Sequence, residues 1–246
     1  MGFLKKLFGK SGPSAPAILD IEKDKVPVYP MIKDARWQGT AHAVHFPFVN
    51  IGGTPDLVIV FPQDAGESFQ YITPKDLENE AVKANYEKWQ ENIDQYPFEF
   101  EKPERMNGRI IFAAGEDHAS EKILSPAFLA AACKELNTDK IIISAPRRRH
   151  CMITSYHEDF LTLEYFFHRH FIAWRENEYN EVITEMVFVA DATKVMNAVP
   201  LGFRINLYEK DGQFKLTYST MDDLFDENDQ INFQAIMEKN KVPVIF

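Results

Sequence analysis

The chain has 246 residues, 45% of them apolar and 13% aromatic, enough to bury a sizeable core in one large domain or two small ones. Its formal charge is −10, and the three lysines of residues 1–10 leave −13 on the rest. That balance excludes general nucleic-acid binding, which needs a lysine- and arginine-rich face. The two cysteines, Cys133 and Cys151, give neither a disulfide framework nor a thiolate zinc cage, and no run approaches the roughly 20 apolar residues of a membrane span.

In chain order, residues 1–10 alternate apolar and basic residues and pass into a Ser/Gly/Pro stretch at 11–16. Residues 1–16 therefore read as a flexible basic tail and linker, and 17–246 as a globular α/β domain, single or built of two subdomains dividing near residue 100. The tail lacks the apolar core of a secretory signal, and Lys6 stands where a myristoylation pattern needs Ser or Thr. Surface association of residues 1–10 with a membrane is the alternative, for which the segment is short.

Apolar runs at 26–32, 43–51, 57–61 and 69–72, punctuated by Pro, Gly and Asp, predict a β-rich first third, with Pro47 marking an edge strand or a break. Thr73-Pro74-Lys75-Asp76 predicts a helix start with a capping-box-like pattern, and Val82, Tyr86, Trp89 and Ile93 make one apolar stripe on that helix. Residues 110–114 read as a strand. Ser125-Pro126 opens a helix whose Leu129, Ala132, Cys133 and Leu136 share a face, and Ile141-Ile142-Ile143 is the continuous run of a buried strand. Strand, helix and strand with short joints predict a central βαβ unit with parallel neighbouring strands. A strand over 151–156 follows, then an amphipathic helix over 158–176 with Phe160, Leu163, Phe167, Phe171 and Trp174 inward, and a strand over 186–190. A hairpin of 203–208 and 214–218 around Lys210-Asp211-Gly212 and a short helix near 231–239 complete a mixed α+β fold, with amphipathic helices packed on a mixed sheet.

The blocks Ala119-Ser120-Glu121-Lys122-Ile123-Leu124-Ser125-Pro126-Ala127-Phe128-Leu129 and Ile141-Ile142-Ile143-Ser144-Ala145-Pro146, the latter followed by Arg147-Arg148-Arg149, resemble the bacterial family typified by YtpQ. The helix start at 72–77 precedes them and 183–190 follows, so the resemblance covers roughly residues 57–205. Family members often carry an acid where this chain has Arg149. The resemblance implies a bacterial cytoplasmic protein and assigns no activity.

In an α/β sheet, ligands collect at the carboxyl ends of parallel strands. Glu116 and His118 after the first strand of the βαβ unit, and Arg147, Arg148, Arg149 and His150 after the second, are expected to converge into one polar cleft. Arginines there supply paired donors for a phosphate or carboxylate, and His118 or His150 serves as acid or base. The other reading is a solvated turn whose arginines pair with surplus acids, and on either reading alanine at Arg147 and Arg149 is expected to cost little stability. His157, Glu164 and His168 lie near one face of the long helix, with His170 beside them, but they form no HExxH and no third ligand is evident elsewhere; neither metal nor cofactor is expected. Nor does the sequence hold a GxSxG elbow, a Walker loop or a GxGxxG. Cys151 and His150 point to opposite faces of an extended chain, Cys133 reads as a core thiol, and the acidic run 222–229 lacks EF-hand spacing. Two functions stay open: a non-catalytic cytosolic binding or regulatory protein with a protein partner, or an enzyme acting on an anionic small molecule at Glu116, His118 and Arg147 to His150.

Overall fold

The structure is a computed structural model that describes residues 21–66, 68–114, 118–175, 180–201, 204–210, 213–219 and 232–245. The basic tail, Glu116, the hairpin turn residues Asp211 and Gly212, and the acidic run 222–229 lie outside these residues. The punctuated apolar runs of the first third form β1 (Met31–Asp34), β2 (His45–Ile51) and β3 (Thr54–Val60), an antiparallel sheet of order β1-β3-β2. Gly52 and Gly53, both at positive φ, make the tight turn from β2 to β3. Pro47 sits on the edge strand β2, and the register slips between Pro47 and Val49, which is where a strand tolerates a missing N–H. A small hairpin, β4 (Pro62–Asp64) and β5 (Phe69–Tyr71), follows.

The Thr73 hydroxyl donates to Asp76 Oδ2 at 2.7 Å and the Asp76 amide donates back to Thr73 Oγ1 at 3.3 Å, but this box starts only a 3-10 turn at Asp76–Glu78. Asn79 caps a second start, accepting from the Ala81 and Val82 amides, so one expected helix becomes two, α1 (Glu80–Tyr86) and α2 (Trp89–Gln95). The apolar stripe survives the break: Val82, Tyr86 and Ile93 are buried and Trp89 packs against the same core.

The chain continues through β6 (Glu99–Glu101), β7 (Ile110–Ala114), α3 (Pro126–Glu135), β8 (Lys140–Ser144), β9 (Met152–Ser155), α4 (Phe160–Arg175), β10 (Met186–Asp191) and β11 (Val195–Pro200). The hairpin β12 (Arg204–Lys210) and β13 (Gln213–Ser219), then α5 (Phe233–Asn240) and β14 (Val242–Pro243), complete it. Seven strands form one sheet of order β14-β11-β10-β8-β9-β7-β6, antiparallel at every step. The fold is mixed α+β, and its βαβ unit is a split one. β7 and β8 run the same way, yet they are not neighbours: β9 turns back and inserts between them, with Ile153 opposite Ile111 on one side and Ile143 on the other. The reversal passes through Arg149 at φ 62°, a left-handed conformation in a residue type that gives no turn signal.

Successive strand residues face opposite sides, so a strand that is apolar throughout needs cover on both. Ile141 and Ile143 enter a core shared with α3 and the N-terminal sheet, whereas Ile142 enters a second core with α4 and α5. The first core runs from Val28 to Ala198, binding the first hundred residues to the rest. At the far edge β14 pairs with β11, after which Val244 bridges Val49 and the Ile245 amide donates to the Phe48 carbonyl at 3.0 Å. No helix among the described residues is long and apolar enough to cross a membrane. Because β8 is covered on both faces, Ile142→Ala and Ile143→Ala are each expected to lower stability by about 2–5 kcal/mol. Denaturant unfolding checks this; a near-neutral effect at either position would mean that its face is open.

Candidate functional site

β7 and β8 end on one edge of the sheet, since Phe112 and Ser144 both lie opposite Met152. The segments that follow them meet there: the buried Ser120 hydroxyl, in the 3-10 turn Ser120–Leu124, donates to the Arg147 carbonyl at 2.7 Å. This edge is closed from the other side by residues 181–183, where Val182 bridges Arg147 and the Ile183 amide donates to the Pro146 carbonyl at 2.8 Å.

The four residues of the Arg147 to His150 turn have different surroundings. Arg147 is buried, and its guanidinium donates to the carbonyls of Ala173 at 2.5 Å, Trp174 at 2.8 Å and Asn180 at 2.7 Å. Ala173 and Trp174 belong to the last turn of α4, whose carbonyls have no partner within the helix, so Arg147 acts as a C-terminal cap. Its fork is thus engaged by backbone, and the expectation of a cheap alanine substitution fails at this position. Arg149 is exposed. His150 is half-buried, its ring edge-on to Phe112 at 6.2 Å. Across the edge, His118 is buried with its ring stacked on Tyr29 at 4.5 Å and edge-on to Tyr96 at 5.0 Å.

Arg148 has a third setting. Its amide donates to the Glu181 carbonyl at 3.0 Å, which fixes the backbone, and its half-buried guanidinium lies 5.0 Å over the Phe69 ring of β5. Among the described residues that guanidinium makes no hydrogen bond and no ion pair. Close by, Lys33 of β1 donates to both Glu181 carboxylate oxygens at 2.6 and 2.5 Å and stands 5.5 Å over Trp37. Trp37 in turn lies 4.5 Å from Tyr71. The indole occupies space that a Cβ on residue 39 would enter, since its ring carbon would come within 2.0 Å, so Gly39 is what lets Trp37 fold back. Tyr71 ties this wall to the charges: burial raises its hydroxyl's pKa, Glu181 adds to the rise and Arg148 opposes it.

Beneath this wall lies Glu121, which sequence reasoning passed over. It is 0% exposed, and neither carboxylate oxygen forms a hydrogen bond of ordinary geometry. Burial pushes its pKa up to about 7, opposed by the charge of Arg148, by the amides of Glu121 and Ile32, and by Lys33. An acid beside Lys122 in a polar-looking turn carries no signal of burial; tertiary packing around the turn, with α2 and α3 against it, creates it. Lys122 is buried too, but its ammonium donates to the carbonyls of Ile93, at 2.7 Å, and Tyr96, closing the end of α2, while burial lowers its pKa to about 8.

The remaining reactive groups are held in structural roles. Cys151 is buried and its thiol is pushed far up by desolvation and by Glu121. His170 is fully buried between the Glu185 carbonyl, 2.9 Å from Nε2, and the Ser144 hydroxyl, 2.9 Å from Nδ1. The carbonyl can only accept, so Nε2 carries the ring proton and Nδ1 accepts from Ser144. Burial lowers this imidazole's pKa to about 4. Of the histidines on and before α4, His170 turns to the core, while His157, before the helix, is 64% exposed and lies 3.8 Å from Asp139. Among the described residues no group of three or more His, Cys, Asp or Glu side chains is placed to hold a metal ion. A separate cavity of about 240 Å³, walled by Phe48, Ile123, Leu124 and Leu129 with Lys194 at its side, lies against the start of α3.

No protein-family profile, curated protein or solved structure matches the chain.

Two outcomes follow from this geometry. Arg147→Ala strips partners from one buried and two half-buried carbonyls, two of them at the end of α4, and is expected to cost on the order of 3 kcal/mol, whereas Arg149→Ala changes stability by less than about 1 kcal/mol. Equal effects in thermal unfolding would refute the cap. Glu121 has a folded pKa of about 7 against an ordinary value of 4.5, so its contribution to stability is full below 4.5 and is lost as the pH rises to about 7. Glu121→Gln should therefore flatten the loss of stability between pH 5 and pH 8 by up to roughly 3 kcal/mol, read as unfolding free energy against pH.

Proposed function

We propose that this chain is a non-catalytic binding protein whose site, at the carboxyl ends of β7 and β8, receives an anionic small molecule on Arg148. The observation that carries the reading is the Arg148 guanidinium itself, half-buried, stacked on Phe69 and without a hydrogen-bonding partner among the described residues. A planar fork held against a ring is preorganised for the paired oxygens of a carboxylate or phosphate. Lys33 beside it is neutralised by its pairing with Glu181, which leaves Arg148 as the open cation, and the aromatic wall of Phe69, Trp37 and Tyr71 offers contact area to the body of a ligand. A bacterial cytoplasmic setting belongs to the same proposal, supported by the resemblance over residues 57–205 and by two unpaired cysteines.

The second reading, an enzyme acting on such an anion, is favoured by Glu121, because a buried carboxyl that titrates near neutrality suits a general acid or base. Titration of the full-length chain with sulfate and with succinate tests the first reading. Arg148→Ala should weaken binding about tenfold or more without unfolding the protein, as expected for loss of a charged hydrogen-bond donor. Unchanged affinity in the variant, or no binding of either probe by the parent chain, would remove the site. Native mass spectrometry of the purified protein separates the two readings: turnover of a retained metabolite that is abolished by Glu121→Gln would make it an enzyme.

A further inference from the structure

We propose that the Arg148 site takes up its anion together with a proton, the proton being received by the buried carboxylate of Glu121. The inference rests on the binding reading above and concerns how that site is regulated. Three elements face Glu121: β1 brings Lys33 and the Ile32 amide, the β8–β9 turn brings Arg148, and the entrance to β9 brings the Cys151 thiol. Lys33 is already paired with Glu181, and Cys151 stays protonated. Arg148 is therefore the positive charge whose field an incoming ligand can cancel. With the site empty, that field helps to sustain the Glu121 carboxylate in a place closed to solvent, where it lacks a well-formed hydrogen bond. An anion on the guanidinium neutralises the field and adds repulsion of its own. The carboxylate oxygen then accepts a proton from solvent, and the bound state holds the anion, the guanidinium charge and a neutral carboxyl group.

By linkage, binding that takes up a proton tightens as pH falls and weakens as it rises through the pKa of the receiving group. His118 and His150 stand at the same edge and would give a slope of the same sign, so the experiment must separate them from Glu121. The full-length chain is titrated calorimetrically with sulfate between pH 6.5 and 8.5 and with succinate between pH 7.5 and 8.5, ranges over which each probe stays a dianion, in buffers of different ionisation enthalpy. The parent chain should take up as much as one proton per anion, and its affinity should fall about three- to tenfold per pH unit above pH 7. Glu121→Gln should bind with an affinity nearly independent of pH and without proton uptake. If Glu121→Gln keeps the slope and His118→Gln or His150→Gln loses it, a histidine is the receiver and the proposal is overturned. Should the parent chain bind through Arg148 with no proton uptake, the proposal falls while the binding reading stands. Absence of binding by the parent chain overturns both. The buffer comparison on the parent chain measures proton uptake directly and so decides the matter even if Glu121→Gln does not fold.

Discussion

The Arg147 guanidinium lies across the end of α4, and three parts of the chain take their positions from it. Its bonds to Ala173 and Trp174 satisfy carbonyls that the helix leaves open, and its bond to Asn180 fixes the strand-like segment that returns toward β10. Its own carbonyl accepts from Ser120, which seats the turn carrying Glu121. A buried cation needs acceptors to offset its desolvation, and backbone carbonyls engage each of the three guanidinium nitrogens here. With Arg147 anchored, the next residue lays its guanidinium over the Phe69 ring and Arg149 takes the left-handed conformation that turns the chain back into β9.

Glu121 and Lys122 are neighbours in one turn, both are buried, and they meet opposite fates. Lys122 reaches two carbonyls at the end of α2 and two aromatic faces, those of Tyr96 and Phe98, so its charge is accommodated by the fold. Glu121 reaches no comparable donor, and the fold tolerates it by allowing it to hold a proton near neutrality. Such conflicts between local chemistry and burial collect where a protein binds or reacts, since stability alone would have replaced the acid. The position of Glu121 behind Arg148, rather than its pKa alone, makes the conflict useful.

The central sheet holds this edge in place. Its middle strands are covered on both faces, by α3 with the N-terminal sheet and by α4 with α5, so the loop residues rest on a rigid base. β1 supplies Lys33, paired with Glu181, and the hairpin of β4 and β5 supplies Phe69, over which Arg148 lies, so two β elements of the first third border this edge of the central sheet. The C-terminal residues Val244 and Ile245 pair with β2 at the opposite side of that sheet from β1 and hold the two sheets together.

Most elements were legible because their signals are local. The run Ile141 to Ile143, the cap at Ser125, the inward stripe of α4 and the hairpin of β12 and β13 each follow from spacing over a few residues. The convergence of the two loops was legible as well, because β7 and β8 share a direction whether or not they touch. What spacing could not decide was long-range. The insertion of β9 depended on a left-handed arginine, and the breaking of one helix into α1 and α2 followed a second cap at Asn79. The division of labour among three adjacent arginines was also invisible, since identical side chains in sequence carry no record of which meets a helix end, which meets a ring and which stays exposed. Burial of Glu121 was equally beyond reach, because both its desolvation and the charges that oppose it, such as Lys33 on β1, are set by what surrounds the carboxyl in space and not by its neighbours in sequence.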